Sequence, residues 1–252
     1  MSGRRPIIRV THMTAGYGDV VLLDDLTFDV YQGEVFVILG GSGCGKSTLL
    51  KHMIGLLRPM QGSILIQGRD IAIAEGAERL KILTGIGVMY QQGALFGSMS
   101  LLENVRLPLE EYTDMPDEAM DRVAMMKLQL VGLGSAANKL PDEISGGMRK
   151  RAAIARAMAL DPPILFLDEP SAGLDPVTSA ELDQLIVGLA RTLRITFVVV
   201  THELASIDTI ADRVIMLDKR TKGIIAEGKP QELRDHSDNP WVRQFFNREA
   251  AV

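Results

Sequence analysis

The spacing of hydrophobic residues changes along the chain, and each spacing predicts a different element. Residues 7–13 and 22–30 alternate apolar and polar side chains, as half-buried strands do. Continuous apolar runs at 35–39 and 164–167 are typical of strands buried on both faces of a parallel sheet. Similar patterns predict further strands at 63–67, 86–90, 195–200, 213–217 and 223–227.

Helical spacing separates these strands. It predicts helices from Lys46 to about Leu57, over 145–160 and 177–192, and at the end of the chain over 240–247. Strands that alternate with helices predict an α/β fold with a mostly parallel sheet. We expect one domain over residues 1–252, with a core at about 1–97 and 159–228, an inserted α-helical subdomain at about 98–158 and a helical tail at about 229–252.

Composition restricts the class of protein. Of the 252 residues, 46% are hydrophobic and 23% are charged, which is enough to bury a core. The net charge of −5 provides no broad basic surface, so we expect no nucleic-acid partner. The short basic run Arg149-Lys150-Arg151 is interpreted as a solvated helix face.

The chain has one cysteine, Cys44, so no internal disulfide can form. Two arginines near the start are not followed by an apolar stretch, and we expect no secretory signal. The longest apolar runs are strand-sized, well below the roughly 18 to 20 residues that cross a bilayer. Any membrane function is therefore expected to depend on partner chains.

A glycine-rich segment follows the strand at 35–39 and fits the pattern G-x-x-x-x-G-K-[ST], a loop for nucleotide phosphates. Glycines let backbone N–H groups point at the anion, and the following helix N-terminus adds its dipole. Lys46 is expected to reach the β- and γ-phosphates, and Ser47 to offer a hydroxyl to Mg²⁺. We interpret Cys44 as a tolerated small residue, with a redox-sensitive thiol as the alternative. The predicted phosphate loop comprises Gly40, Gly41, Ser42, Gly43, Cys44, Gly45, Lys46, Ser47 and Thr48.

Polar residues at the ends of three other predicted strands complete a candidate hydrolytic site. Asp168 is expected to hold Mg²⁺ through its water shell, and Glu169 to act as general base. Taken alone, an acidic pair after a strand is a helix cap or a solvated turn as often as it is a functional site. His202 is expected to contact the γ-phosphate. Gln91 is the expected ligand of the metal or attacking water, with Gln92 as the competing candidate.

A second glycine-rich turn follows at Ser145-Gly146-Gly147, and together the motifs resemble those of ABC transporter ATPases. The resemblance implies a P-loop NTPase of ABC type, with an antiparallel β region beside the mostly parallel core, that binds ATP and Mg²⁺. Two copies would face each other head to tail, each ATP lying between one chain's phosphate loop and the other's Ser145 turn. Asp175 would lie at that interface, and Tyr17 would be a platform for adenine, a core or turn aromatic being the alternative. In chain order the set is Tyr17, residues 40–48, Gln91, Ser145-Gly146-Gly147, residues 164–169, Ser171–Asp175 and His202.

Finer features are similar to the MlaF group, the ATPases of MCE-type phospholipid transport between the inner and outer membranes. They are Met148 after the second turn, where many relatives have Gln, and the segments 91–96, 125–128 and 240–246. The resemblance implies an MlaE-like permease, a periplasmic MCE-domain protein, a small STAS-domain subunit in some systems, and a peripheral place on the cytoplasmic face of the bacterial inner membrane. Another ABC system, such as an amino-acid importer, is the alternative. A non-transport ABC protein acting on nucleic acid or ribosomes is disfavoured by the single nucleotide domain and the acidic charge.

One predicted loop has two adjacent large apolar residues, Leu95 and Phe96. Burial within one chain is least expected in a loop, so we expect residues 93–96 and the helical block to form a groove for the permease's cytoplasmic helix. The alternative is that both side chains pack back onto the helical block.

Overall fold

The computed structural model describes residues 5–247. Its strands are β1 (Pro6–Tyr17), β2 (Val20–Tyr31), β3 (Val35–Gly40), β4 (Gln61–Ile66), β5 (Arg69–Asp70), β6 (Ile86–Met89), β7 (Ile164–Asp168), β8 (Thr196–Val200), β9 (Arg213–Asp218) and β10 (Gly223–Gly228). Its helices are α1 (Lys46–Met53), α2 (Gly76–Thr84), α3 (Leu101–Tyr112), α4 (Asp117–Leu130), α5 (Gly146–Ala157), α6 (Pro176–Leu193), α7 (Leu204–Ile210), α8 (Pro230–His236) and α9 (Pro240–Asn247).

The strands form two sheets. An antiparallel sheet has the order β2-β1-β4-β5, and the larger sheet has the order β10-β9-β3-β8-β7-β6. In the larger sheet all neighbours are parallel except β9 and β10. All six residues of β3 are buried, as its continuous apolar run predicts. The predicted α/β class, with a mostly parallel sheet and an antiparallel region, is confirmed.

Three helices, α3, α4 and α5, lie between β6 and β7 along the chain. Ser100 and Glu103 form a capping box at the start of α3, because each side chain accepts from the other's backbone N–H. The buried face of α4 includes Lys127, which pairs with Asp161 just before β7. This block joins the carboxyl end of β6 to the amino end of β7.

Helix α1 ends four residues earlier than predicted, at Met53 rather than Leu57. Gly55 adopts φ 75°, its N–H donates to the carbonyl of His52, and that of Leu56 donates to the carbonyl of Lys51. This pair of bonds is a Schellman C-cap, which satisfies the last carbonyls of the helix. The apolar residues after Met53 extend the helical pattern without extending the helix.

Two elements had no clear pattern in the sequence. Helix α2 buries one residue, Ile82, so it shows almost no hydrophobic periodicity. Arg79 fixes α2 to the end of α1 by donating to the carbonyls of Ile71 and Gly55. Strand β5 has only two residues and pairs with β4. Tertiary contacts, rather than local sequence, form both elements.

The end of the described chain is helical. Asn239 caps α9 by accepting a hydrogen bond of 3.0 Å from the N–H of Trp241, as the Asn-Pro pair predicts. The predicted tail extends to residue 252, but residues 248–252 lie outside those described, as do residues 1–4 of the predicted core. No helix within residues 5–247 is both long enough and apolar enough to span a membrane.

Candidate active site

Four segments of the predicted site lie at one edge of the larger sheet. Strand β3 pairs with β8, β8 with β7, and β7 with β6, all in parallel. Their carboxyl ends therefore point the same way. The segments that follow them are the phosphate loop, His202, the pair Asp168-Glu169 and Gln91. In open α/β sheets this edge is where ligands bind.

The phosphate loop has the backbone that an anion site requires. Gly43 and Gly45 adopt φ of 74° and 100°, in the left-handed region that side chains disfavour. A Cβ at Gly40 would lie 2.4 Å from the carbonyl oxygen of Leu217. Lys46 Nζ donates to the carbonyls of Gly40 at 2.8 Å and Gly41 at 3.2 Å, so its cation already lies across the loop.

The side chains of the loop divide into buried and exposed groups. Ser47 is exposed in the first turn of α1, where its hydroxyl is accessible, whereas Thr48 is buried. Cys44 is also buried, and desolvation raises the pKa of its thiol. A buried neutral thiol is a poor nucleophile. Burial thus favours the interpretation of Cys44 as a small residue that fills space.

The acidic pair holds two buried oxygen atoms without a donor. Asp168 Oδ1 and Glu169 Oε2 have no hydrogen-bond partner among the described residues. Desolvation raises the pKa of Asp168, and the charge of Glu169 raises it further. Glu169 adopts a left-handed φ of 46°, held by its N–H donating to the carbonyl of Val200 at 2.8 Å. Strain of this kind is found where a side chain must take one particular position.

These oxygen atoms fit a magnesium nucleotide. Within residues 5–247 no group of three or more His, Cys, Asp or Glu side chains could hold a metal by itself. Mg²⁺ needs no such cage, since it binds one or two protein oxygens and completes its shell with phosphates and water. Asp168 and the hydroxyl of Ser47 are ligands of that type, and the positive charges of Lys46 and Lys51 act on Asp168.

His202 lies beside Glu169. Its Nδ1 is 2.8 Å from Glu169 Oε1, and the His202 side chain is 61% exposed, against 12% for Glu169. The other ring nitrogen makes no hydrogen bond to the described part of the chain. The geometry leaves that nitrogen for a ligand, while Glu169 orients the ring. The role of His202 at the γ-phosphate stays a prediction.

Gln91 and Gln92 are both exposed just after β6. Strand β6 ends at Met89, one residue before the predicted end. The backbone carbonyl of Gln91 accepts a hydrogen bond from Lys150 Nζ, which fixes its main chain. The preference for Gln91 over Gln92 as the ligand stays a prediction.

The second glycine-rich turn begins helix α5. Ser145 is exposed and caps the helix, its Oγ accepting from the N–H of Met148 at 3.2 Å. Gly147 is buried, and a Cβ there would lie 2.3 Å from Cγ2 of Thr178 on α6. Asp175 is exposed and caps α6, accepting from the N–H groups of Val177 and Thr178. The two turns thus form one exposed surface.

Tyr17 lies at the end of β1, where the hairpin to β2 turns through Gly18 at φ 54°. Its side chain is 47% exposed, so it is not a core aromatic. An exposed ring at a hairpin tip can stack on a base. Its role as the adenine platform stays a prediction.

The basic run on α5 is not a solvated face throughout. Arg149 is exposed, but Lys150 is only 7% exposed, and Arg151 is half-buried in an ion pair with Glu181. Desolvation lowers the pKa of Lys150, and the carboxylates of Asp168 and Glu169 oppose this. Helical spacing could have shown this, since Lys150 lies three residues after buried Gly147 and four before buried Ile154.

The loop after β6 is held by two polar side chains, buried Asn104 and half-buried Arg156, for which the sequence carried no signal. Asn104, fully buried on α3, accepts from the N–H of Phe96 at 2.8 Å and donates to its carbonyl at 3.1 Å. Arg156 donates to the carbonyls of Ala94 at 2.6 Å and Gly93 at 3.0 Å. Leu95 packs against the core, whereas Phe96 is 52% exposed. The expectation of two free apolar side chains is therefore wrong for Leu95.

Comparison with known proteins identifies the family. Residues 23–172 match the family described as ABC transporter. The chain belongs to the ABC transporter family. It is thus an ATPase of the ABC type, and the predicted fold and enzyme class are confirmed.

Relatives of this ABC ATPase are named for two different transport functions. It is 47% identical to a probable ribonucleotide transport ATP-binding protein, mkl, of Mycobacterium leprae, over 97% of this chain and 71% of that protein. It is 40% identical to the intermembrane phospholipid transport system ATP-binding protein MlaF of Haemophilus influenzae, over 97% of this chain and 91% of that protein.

A solved structure gives the same fold. The dimeric ATP-binding cassette MJ0796, in a post-hydrolysis state with ADP and Pi, matches 88% of this chain and 98% of its own. The TM-score is 0.79 at 32% sequence identity.

Proposed function

We propose that this ABC ATPase dimerises around two ATP molecules and drives phospholipid transport between the inner and outer membranes. One observation carries the proposal: similarity to an intermembrane phospholipid transport ATPase extends over 97% of the chain. The aligned region spans the Met148 turn and the loop at residues 91–96, on which the resemblance to the MlaF group rests.

Each ATP site would combine two chains. One chain supplies the phosphate loop, Asp168, Glu169 and His202, and the other supplies the Ser145 turn. The exposure of that turn at a helix N-terminus supports this, because such a terminus favours anions. The MJ0796 cassette is dimeric in its ADP and Pi state.

Within a site each of the protein's own groups has a separate role. Lys46 binds the phosphates, and Ser47 and Asp168 hold Mg²⁺, which when bound neutralises charge on the phosphate oxygens. Glu169 orients and deprotonates the attacking water, a role that its paired but partly unsatisfied carboxylate suits. His202 contacts the γ-phosphate through the ring nitrogen that Glu169 leaves free.

The loop at residues 93–96 is proposed to receive a cytoplasmic helix of an MlaE-like permease. Phe96 is exposed, and Asn104 and Arg156 hold the backbone of the loop in one position. A rigid loop with an exposed aromatic residue loses little conformational entropy on binding. A periplasmic MCE-domain protein, and in some systems a STAS-domain subunit, would complete an assembly on the cytoplasmic face of the bacterial inner membrane.

A second candidate is ribonucleotide transport. The mycobacterial relative named for ribonucleotide transport is 47% identical to this chain, and the relative named for phospholipid transport is 40% identical. The fold of the ATPase does not distinguish phospholipid transport from ribonucleotide transport, because the transported molecule contacts the membrane partner.

Purification of the complex distinguishes the two candidates. A tagged chain, isolated in mild detergent, is expected to bring a permease-type membrane protein, an MCE-domain protein and phospholipid detectable by mass spectrometry. ATP hydrolysis by the detergent-solubilised complex should increase with added phospholipid and not with added ribonucleotides other than ATP. A lipid-free complex whose hydrolysis increases with ribonucleotides would contradict the proposal.

A further inference from the structure

Lys150 is a buried cation beside the candidate hydrolytic groups. Its Nζ donates to the backbone carbonyls of Gln91 and of Glu169, the latter at 3.3 Å. The two carbonyls follow β6 and β7, so one side chain joins two neighbouring strand ends. Lys150 itself lies on α5, five residues after Ser145.

Packing alone does not explain a lysine here. A buried ammonium loses hydration, and an apolar side chain would fill the same helix face at lower cost. Desolvation lowers the pKa of Lys150, and the carboxylates of Asp168, Glu169 and Glu203 offset part of this effect. Its donors are directed to main-chain acceptors rather than to one partner side chain. The arrangement therefore fixes a backbone geometry.

The geometry that it fixes is strained. Glu169 adopts a left-handed φ, held on one side by its N–H donating to Val200. Lys150 holds the other side, through the carbonyl of the same residue. The N–H of Ala172 also donates to this carbonyl, at 3.2 Å. Without Lys150 the peptide after Glu169 is held by one bond instead of two, and the direction of the carboxylate is less well fixed.

We propose that Lys150 is a positioning residue for ATP hydrolysis. It holds Gln91 and Glu169 at the positions that hydrolysis requires, from a helix that begins at the Ser145 turn. This deepens the proposed function at the same site and rests on the role proposed for Glu169 and on the ligand role expected of Gln91. Lys150 makes no hydrogen bond to the phosphate loop, which includes Ser47. It should therefore affect turnover and not ATP binding.

The test compares four variants with the wild type: Lys150→Met, Lys150→Gln, Lys150→Arg and Arg149→Met. Steady-state ATP hydrolysis gives kcat, and titration with a fluorescent ATP analogue gives the dissociation constant. Lys150→Met should lower kcat by about 10- to 100-fold, the effect of misplacing a reacting group by about 1 Å. Its dissociation constant should change by less than about twofold, since a positioning group acts on turnover.

The other variants control for charge and folding. Lys150→Arg keeps a cation with donors and should recover part of kcat, whereas Arg149→Met removes an exposed charge from the same helix and should leave kcat within about twofold. Lys150→Gln removes the charge and shortens the side chain by one bond, so it should also lower kcat, and because it stays polar it remains informative if the methionine variant does not fold. Unchanged kcat in Lys150→Met or Lys150→Gln, or weaker ATP binding at unchanged kcat, would overturn the proposal. Wild-type hydrolysis that phospholipid does not stimulate would count against the proposed function instead.

Discussion

Asp183 on helix α6 carries a testable energetic cost. The residue is 3% exposed, and its Oδ1 has no hydrogen-bond partner within the described chain. Desolvation raises the pKa of its carboxyl from 3.8 to about 6, with a hydrogen bond from Ser206 opposing and the charge of Glu203 adding to the rise. At about 1.4 kcal/mol per pH unit, ionising Asp183 in the folded protein costs about 3 kcal/mol above pH 6.

The sign of the pH effect follows from linkage. The folded state holds the proton more tightly than the unfolded state, so the cost begins above pH 3.8 and is complete above about pH 6. Asp183→Asn removes this titration. The free energy of unfolding of the variant, relative to the wild type, should therefore be higher at pH 7.5 than at pH 5, by about 1.4 kcal/mol.

Urea unfolding followed by circular dichroism at the two pH values measures this difference. The exposed Asp142→Asn is the matched control and should show no pH-dependent difference from the wild type. An m-value that stays constant would show that the native and unfolded states keep their compactness. A relative stability of Asp183→Asn that is the same at both pH values, or higher at pH 5, would refute the assignment of a raised pKa.

Three further substitutions test the site. Glu169→Gln should bind ATP normally but release phosphate about 10²- to 10⁴-fold more slowly, as expected for loss of a general base; near-normal turnover would exclude that role. Lys46→Ala should raise the dissociation constant of a fluorescent ATP analogue, because it removes charge from the β- and γ-phosphates; an unchanged constant would contradict this. Phe96→Asp should fold and bind ATP but fail to co-purify with the permease, whereas Phe96→Leu should co-purify; normal assembly of Phe96→Asp would place the docking surface elsewhere.

Local sequence was informative where a short segment determines its own conformation. The buried apolar runs of β3 and β7 predicted parallel strands, because only a strand covered on both faces has no polar side. The phosphate loop was predicted from the glycines and the lysine of the loop itself. The Asn239-Pro240 pair likewise set the start of α9 without help from distant residues.

Sequence reasoning failed where distant contacts decide the outcome. Helix α2 is fixed by Arg79 donating to a carbonyl at the end of α1, and no local pattern encodes that contact. Residue type predicts a surface position for Lys150, because lysine is rarely buried, but its carbonyl acceptors lie in two other segments. Leu95 and Phe96 differ in exposure because Asn104 fixes the loop backbone between them. Both residues are large and hydrophobic, so residue type alone could not predict the difference in their exposure.

The shared ATP site is the central claim, and mixing two inactive variants tests it most directly. Ser145→Arg blocks the turn offered to the second chain, and Lys46→Ala removes charge from the chain's own phosphate loop. Each variant alone should hydrolyse little ATP, since every site in its dimer has one damaged half. A mixed dimer has one site with both halves intact, so mixing should restore hydrolysis. No gain on mixing, with Ser145→Arg active by itself as a monomer, would contradict the account.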